Sequence, residues 1–349
     1  MKLLLLGRTG LLGSAIEKRL TKEKIDFLAP RHDTLDLASA DSMALFFRKH
    51  PPEGFEKILH CAAWTDVDRA ETEKQKCEAV NVVALERLLQ YKIPILHFST
   101  DYVFGAPSRI EIPENFPRDP QNQYGQSKAK AEILLERNRT PWWNVRTTWL
   151  VGMAGANFVS KILHRAERQS VIQVVSDEIG RPTFTDDLAR HTIEHFVKQT
   201  PEKGHYHLQN SGPPVSRAEL AEKILHLHGW LGTVTHISGK ELSRPAKRPI
   251  NSVLKNTKLP EMPDWRESLE RYLEELNGGV PPAREKNWRG PARPEPQKPV
   301  CRFHEQCDCA IDETPTRVWH WETEPENAAR VRLPLVLCHD PPKADPTLG

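Results

Sequence analysis

The chain has 349 residues, enough to bury a large core and to hold two domains or one with an appendage. Its 49 Lys and Arg against 47 Asp and Glu leave no global field demanding nucleic acid or an anionic membrane, so small-molecule chemistry is the expectation. No run approaches the roughly 20 apolar residues of a membrane helix, and six cysteines, four of them in the last fifty residues, are no oxidised scaffold for this length and fit a reducing cytoplasm.

Met1 to Leu6 is a short apolar run that reads as a buried central strand of a parallel sheet rather than a secretion signal. It feeds into Gly7-Arg8-Thr9-Gly10-Leu11-Leu12-Gly13, after which Ala15, Ile16 and Leu20 alternate at helical spacing with Glu17, Lys18 and Arg19. In a strand, glycine turn and helix, one glycine permits the turn, another lets backbone approach a pyrophosphate, and a third lets the helix pack closely; the phosphates rest on the helix N-terminus. Ile25 to Ala29 reads as the second strand, ending at Pro30-Arg31-His32. Arg31, with Arg8, favours the 2′-phosphate of NADP over the ribose hydroxyl of NAD, with plain solvation of either arginine weighing equally. Asp36-Leu37 opens the next connection, with an Asp able to reach an adenine amino group.

Lys57 to Ala63 is another buried strand, and Ala62 and Ala63 at its end leave room for a cofactor to cross. Trp64 to Glu71 follows as a loop over the site, and Asn81 lies in a helix from about Cys77 to Tyr91. A buried Asn needs partners, so positioning something near the site competes evenly with a plain structural role. Ile93 to Phe98 forms the next strand and delivers Ser99-Thr100-Asp101-Tyr102 to its C-terminal edge, where open parallel sheets bind ligands. In Tyr124-Gly125-Gln126-Ser127-Lys128 a phenol and an ammonium stand one helical turn apart. A neighbouring Lys⁺ should pull the phenol below its ordinary value near ~10, making it a better proton donor. The Thr100 hydroxyl, brought alongside, would hold the same substrate oxygen.

Beyond Trp149 the alternation lapses, which suits a smaller substrate-binding lobe with crossings back to the main sheet. Helices are expected over Asn157 to Arg168 and from Phe184, with Asp186 and Asp187 in the first turn of the second, where the helix dipole favours them. Arg181, Arg244, Lys247 and Arg248 are candidate cations for a diphosphate, and Arg248 is the preferred one. After Asn277 a Gly- and Pro-rich linker leads to a tail in which Cys301, His304, Cys307 and Cys309 cluster without matching a closed zinc template.

The glycine spacing together with Tyr-x-x-x-Lys belongs with the short-chain reductases, and the set of motifs resembles the dTDP-4-dehydrorhamnose reductase family of the extended branch. The resemblance spans residues 1 to about 275 and rests on Gly7 to Gly13, Cys61 to Glu71, Val80-Asn81, Ser99 to Phe104, Tyr124 to Lys128, Arg146 to Gly152, Asn157-Phe158-Val159, Gly180 to Thr183, Tyr206-His207-Leu208 and Arg248 to Ser252. It implies a doubly wound α/β Rossmann domain over residues 1–150, a substrate lobe over 151–277 and a tail over 278–349. It further implies reduction of a 4-keto-6-deoxyhexose on a nucleoside diphosphate by NADPH, with NADH tolerated. Tyr124 would donate the proton, Lys128 would bind the nicotinamide ribose and lower the Tyr124 pKa, Thr100 would hold the reacting oxygen, and Asp101 would tune the pocket. Gly7, Arg8, Gly10, Leu11, Leu12, Gly13, Arg31, Asp36, Leu37, Ala62, Ala63 and Trp64 would line the cofactor; Thr65, Val67, Trp149 and Arg248 would meet the sugar nucleotide. Some relatives carry Mg²⁺, for which Asp186 and Asp187 are candidates, capping being the favoured role. Trp64, and Ile179 before Gly180, depart from the family pattern without touching the Thr-Tyr-Lys set. A nucleotide sugar is the expected partner, nucleic acid and membrane are not, and a homodimer is allowed. The rivals are an NADP-binding regulatory subunit and a nucleotide-sugar epimerase or dehydratase.

Overall fold

The computed structural model describes residues 2–105 and 111–280. The expected linker and tail, with the Cys301–Cys309 cluster, lie almost wholly outside them. Six parallel strands form the central sheet: β1 (Leu3–Leu6), β2 (Phe27–Leu28), β3 (Lys57–His60), β4 (Ile95–Thr100), β5 (Trp142–Thr147) and β6 (Gly204–His207), in spatial order β6-β5-β4-β3-β1-β2. This is the doubly wound α/β arrangement. The Leu run of β1 is explained by burial on both faces, since side chains alternate along a strand. Leu3 and Leu5 join one core with Leu59, Leu96, Phe98 and Val145; Leu4 and Leu6 join the opposite core with Ile58 and Ile95. Each such Leu contributes about 1.5–3 kcal/mol of transfer free energy.

Helix α1 (Leu11–Lys22) covers the first face with Leu12, Ile16 and Leu20. Helix α2 (Ala40–Lys49), capped by Ser39, covers the second with Met43, Phe46 and Phe47. The run expected as one helix from Cys77 to Tyr91 is interrupted: α-helical at Lys74–Glu78 and Ala84–Leu89, with a π-helical turn at Ala79–Val83 that carries Asn81 in its middle. Helix α3 (Gln123–Arg137) begins at the Asn122 cap and lays Ala131 and Leu135 on the second face.

After β5 a third core gathers Val159, Ile162, Leu220, Ile224, Trp265 and Leu269 from helices α4 (Phe158–Ala166), α6 (Arg217–Leu227) and α7 (Trp265–Leu276), with Phe184 just before α5 (Thr185–Thr192), whose Leu188 and Ala189 join the first core instead. Helix α4 starts where expected, with Asn157 and Ser160 forming a capping box. In α5 neither acidic residue caps: the cap position is Phe184, and Asp187 is buried instead, receiving Asn210, Ser268, Arg190 and Arg271. Its oxygens are committed to that network, so it does not stand as a metal ligand. Among the described residues no helix is long and apolar enough to cross a membrane.

Candidate active site

The C-terminal ends of β1, β3 and β4 and the start of α3 meet along one edge of the sheet. At the end of β1, Gly7 has φ +85, and a Cβ there would stand 2.5 Å from the Ala62 nitrogen. A Cβ on Gly13 would fall 2.0 Å from the Gly7 carbonyl oxygen. Only glycine lets turn, helix and β3 approach this closely. The N-cap of α1 is Gly10, with no side-chain cap and no acidic residue in the first turn, so the amides of Leu11, Leu12 and Gly13 open the helix without a protein acceptor from the cap. That donor set, with the helix dipole behind it, fits the diphosphate of a dinucleotide.

The 2′ end of such a ligand would lie past β2. Arg8 is not free there: it forks onto Glu17, Nη2 to Oε1 at 2.5 Å and Nε to Oε2 at 3.0 Å, and Nη1 donates to the Ala29 carbonyl at 3.3 Å. The Arg31 side chain is 73% exposed, and among the described residues it meets Asp33, at 3.9 Å. Asp36 accepts from the amide of Ala38, while Leu37 packs on the edge of the core that holds Leu4 and Leu6. At the end of β3, Ala62, Ala63 and Trp64 are half-buried; Thr65 is exposed and Val67 packs in a small cluster with Trp64, Tyr102 and Tyr124.

Asn81 bridges the stretch after β3 and helix α3. Its Oδ1 accepts from the Trp64 amide at 2.8 Å, and its Nδ2 donates to the Trp64 carbonyl at 3.2 Å and to Ser127 Oγ at 2.9 Å. Ser127 in turn donates to the Tyr124 carbonyl at 2.7 Å, which ties the loop after β3 to the helix that carries the tyrosine.

Tyr124 and Lys128 are buried on one face of α3, and Thr100 and Asp101 close β4 beside them. The Thr100 hydroxyl donates to Asp101 Oδ1 at 3.0 Å and accepts from the Tyr102 amide at 3.2 Å; Ser252 holds the other Asp101 oxygen. Serving a substrate oxygen therefore asks Thr100 only to rotate its hydrogen away from Asp101. Burial raises the Asp101 carboxyl above its usual range, and the bonds from Ser252 and Thr100 oppose that.

The tyrosine differs from the expectation drawn from its lysine. Burial pushes the Tyr124 phenol above its ordinary value, with Thr100 opposing and Asp101 adding to the rise. The lysine spends itself elsewhere: Lys128 Nζ donates to the Phe98 carbonyl at 2.7 Å and meets His97 Nε2 at 2.9 Å. Burial lowers Lys128 itself to about 8. Sequence spacing placed the two groups on one face but carried no information about how dry that face is.

Arg248 also departs from expectation. It forks onto Asp68, Nη2 to Oδ2 at 2.6 Å and Nη1 to Oδ1 at 3.1 Å, and the Ala246 amide shares that carboxylate at 3.2 Å. The segment is latched to a short helix, Val67–Thr72, where the sequence reading expected only loop, rather than left open for a diphosphate. The cation that sequence reasoning passed over is Arg217. It lies 3.6 Å from the Trp149 ring centre and 4.9 Å from that of Phe158, and the Glu178 carboxylate is 3.8 Å away. Asp101 and Tyr102 lie within its electrostatic reach, and burial lowers its pKa. Trp149 holds φ +47, an uncommon setting for a bulky side chain, with its ring against Gly180. The available signal for Arg217 was Ser216-x-x-Glu219, whose capping box fixes it as the first residue of α6.

The profile of the RmlD substrate binding domain matches residues 1–277. A probable dTDP-4,6-dihydroxy-2-methyloxan-3-one 4-ketoreductase of Streptomyces antibioticus is 33% identical over 81% of this chain and 99% of its own length. A crystal structure of a dTDP-4-dehydrorhamnose reductase from Clostridium acetobutylicum superposes with TM-score 0.74 at 31% identity, covering 79% of this chain and all of that one. The dTDP-4-dehydrorhamnose reductase of Bacillus anthracis, solved in complex with NADP, superposes with TM-score 0.73 at 29% identity over 78% of this chain and 99% of that one.

Proposed function

The chain belongs to the dTDP-4-dehydrorhamnose reductase family of the extended short-chain dehydrogenase/reductase superfamily, and from that membership we propose that it reduces the C4 ketone of a dTDP-bound 6-deoxy-4-ketohexose with NADPH, NADH being accepted. The observation that carries the reading is the buried Thr100, Tyr124 and Lys128 set beside the uncapped α1 N-terminus. With its diphosphate on that N-terminus, the reduced dinucleotide would supply the hydride from its nicotinamide. As a C–H bond forms at C4, the carbonyl electron pair moves to O4, which takes the Tyr124 proton. Burial keeps the phenol protonated at neutral pH, the state a donor needs. Thr100 turns its hydroxyl to the same oxygen, and Lys128 holds the nicotinamide ribose.

Residues 1–150 form the dinucleotide-binding domain, which also reaches the sugar, and 151–277 form the substrate lobe, with β6 returning the second half to the main sheet. Gly7, Arg8, Gly10, Leu11, Leu12, Gly13, Arg31, Asp36, Leu37, Ala62, Ala63 and Trp64 face the dinucleotide; Thr65, Val67 and Trp149 face the sugar. Arg217 takes the anionic contact first assigned to Arg248.

The test is the loss of reduced-nicotinamide absorbance with purified protein, NADPH and dTDP-4-dehydro-L-rhamnose. Substrate-dependent decay is expected, and Tyr124→Phe should lose on the order of 10²–10⁴ in kcat while keeping NADPH affinity. No decay would overturn the substrate assignment. The Streptomyces antibioticus relative supports a second reading, a differently substituted dTDP-bound 4-ketosugar, which a higher kcat/KM on that compound would favour.

A further inference from the structure

Beneath the proposed catalytic pair lies a feature that the hydride-transfer reading does not use. His60 ends β3 and His97 sits in β4, and the two stand opposite one another in the parallel register. Their Nδ1 atoms are 2.9 Å apart, and His97 Nε2 is 2.9 Å from Lys128 Nζ. All three side chains are about 1% exposed. The contact follows from matching periods: two residues along a strand advance ~6.6 Å and four along a helix ~6 Å. His97 and Ser99 of β4 therefore meet Lys128 and Glu132 of α3 in step, with Ser99 Oγ donating to Glu132 Oε1 at 2.7 Å.

The hydrogens can be assigned by elimination. Burial holds His60 down to about 3 and His97 well below its ordinary value, so both rings are neutral and carry one hydrogen each. A charged lysine has no lone pair, so His97 must accept at Nε2 and carry its hydrogen on Nδ1. His60 must then accept at Nδ1 and carry its own hydrogen on Nε2. Among the described residues that last atom has no hydrogen-bond partner. A buried donor left unpaired costs stability, so the pair is a poor choice if its purpose were packing.

Resting on the reductase reading above, we propose that His97, backed by His60, is a positioning residue for hydride transfer: with the Phe98 carbonyl it fixes two of the three Lys128 hydrogens, so that the third alone serves the ligand side. Free rotation of the ammonium is removed, and each proton Lys128 gives or takes passes through one defined position. His97 also supplies one of the few acceptors that keep the lysine charged in a dry setting. The other groups facing Lys128 are Glu132 on its own helix, Cys61 at the end of β3 and Cys77 from the run before β4. Glu132 is satisfied by Arg146, and burial raises both thiols, so neither cysteine supplies a counter-charge near neutral pH. Removing the His97 acceptor should therefore make Lys128 easier to deprotonate.

The first test needs no substrate and so stands apart from the reductase assignment. NMR of the full chain with ¹⁵N-labelled histidine should find His97 carrying its hydrogen on Nδ1 and His60 on Nε2 at pH 7; the reverse tautomers would overturn the proposal. ¹³C-labelled lysine, with Lys128 assigned through Lys128→Met, should show a lower Lys128 titration midpoint in His97→Leu and near recovery in His97→Gln, whose amide oxygen reaches the Nε2 position. An unchanged midpoint in folded His97→Leu would overturn it. In turnover, His97→Leu should lose on the order of 10- to 100-fold in kcat with its alkaline limb moved to lower pH and its KM for the nucleotide sugar little changed. Should His97→Leu fail to fold, His60→Leu keeps the lysine contact and releases only the tautomer. It should move the same limb in the same direction by less, and no movement would count against the proposal.

Discussion

Gly125→Ala is the substitution whose effect the geometry defines most closely. Gly125 follows the proposed donor in the first turn of α3, where the helix lies on the backbone of the Asp101–Val103 turn. A Cβ added there would stand 2.2 Å from the Tyr102 carbonyl oxygen, 3.0 Å from its carbon and 3.1 Å from Pro120 Cβ. Ordinary contact begins near 3.4 Å, so helix and turn must separate by about 1.2 Å, and the obstruction is backbone that cannot swing aside. Tyr124 rides on the helix and Thr100 caps the turn, so the separation falls on the two groups meant to share one substrate oxygen. A misplacement near 1 Å costs on the order of 100-fold, and kcat/KM for the ketosugar with NADPH should fall by that amount. Alanine is itself the better helix former by about 1 kcal/mol, so the variant should stay folded, and NADPH affinity, resting on α1, should hold. Gly54→Ala, where an added Cβ meets nothing within 4 Å, is the control. Wild-type turnover in folded Gly125→Ala would refute the claim that this close approach sets the reacting geometry.

Glu132 offers a pH test. Burial works to raise its carboxyl, but the bond and charge of Arg146 prevail and draw it from 4.5 to about 2. A lowered carboxyl stabilises the fold above its unfolded value, so roughly 3 kcal/mol should be lost between pH 4.5 and 2 in urea unfolding. Glu132→Gln, which strands Arg146, should cost about 3–5 kcal/mol at pH 7 and flatten that acid limb. At the 2′ end, Glu17→Gln frees Arg8 from its fork and should raise the NADPH to NADH ratio of kcat/KM several-fold, on the order of 1 kcal/mol for one released charged contact. An unchanged ratio would place the 2′-phosphate away from Arg8. Arg217→Met keeps the stacked stem and removes the charge; KM for the nucleotide sugar should rise about tenfold, in line with a lost hydrogen bond to a charged group, with NADPH binding unaltered by fluorescence titration.

The parts of this molecule that follow local periodicity were readable in advance. The Leu3–Leu6 strand, the glycine turn and α1 follow one another along the chain, and Tyr124 and Lys128 share a face by helical spacing alone. What depended on distant partners was not readable. Arg248 meets a carboxylate 180 positions away, and His60 meets His97 only through strand register. The rise of the Tyr124 phenol reflects burial by several elements at once. Arg217 stood at a helix start with no pattern around it to separate it from a surface arginine; its stacking on Trp149 needed the tertiary fold. The π-helical turn at Asn81 escaped for a related reason, since its i→i+5 spacing leaves no hydrophobic signature.

Helix α3 is anchored from below. Lys128 and Glu132 reach down to His97, Phe98, Ser99 and Arg146, all on β4 and β5. The groups around Trp149, Arg217 and Arg244 come from later in the chain and share none of those hydrogen bonds. Change in one set thus need not disturb the other. Such a layout lets descent with modification alter the sugar side while the proposed proton donor stays fixed, a division that suits relatives differing in the ketone they name, whose own lengths align almost completely with 79–81% of this chain.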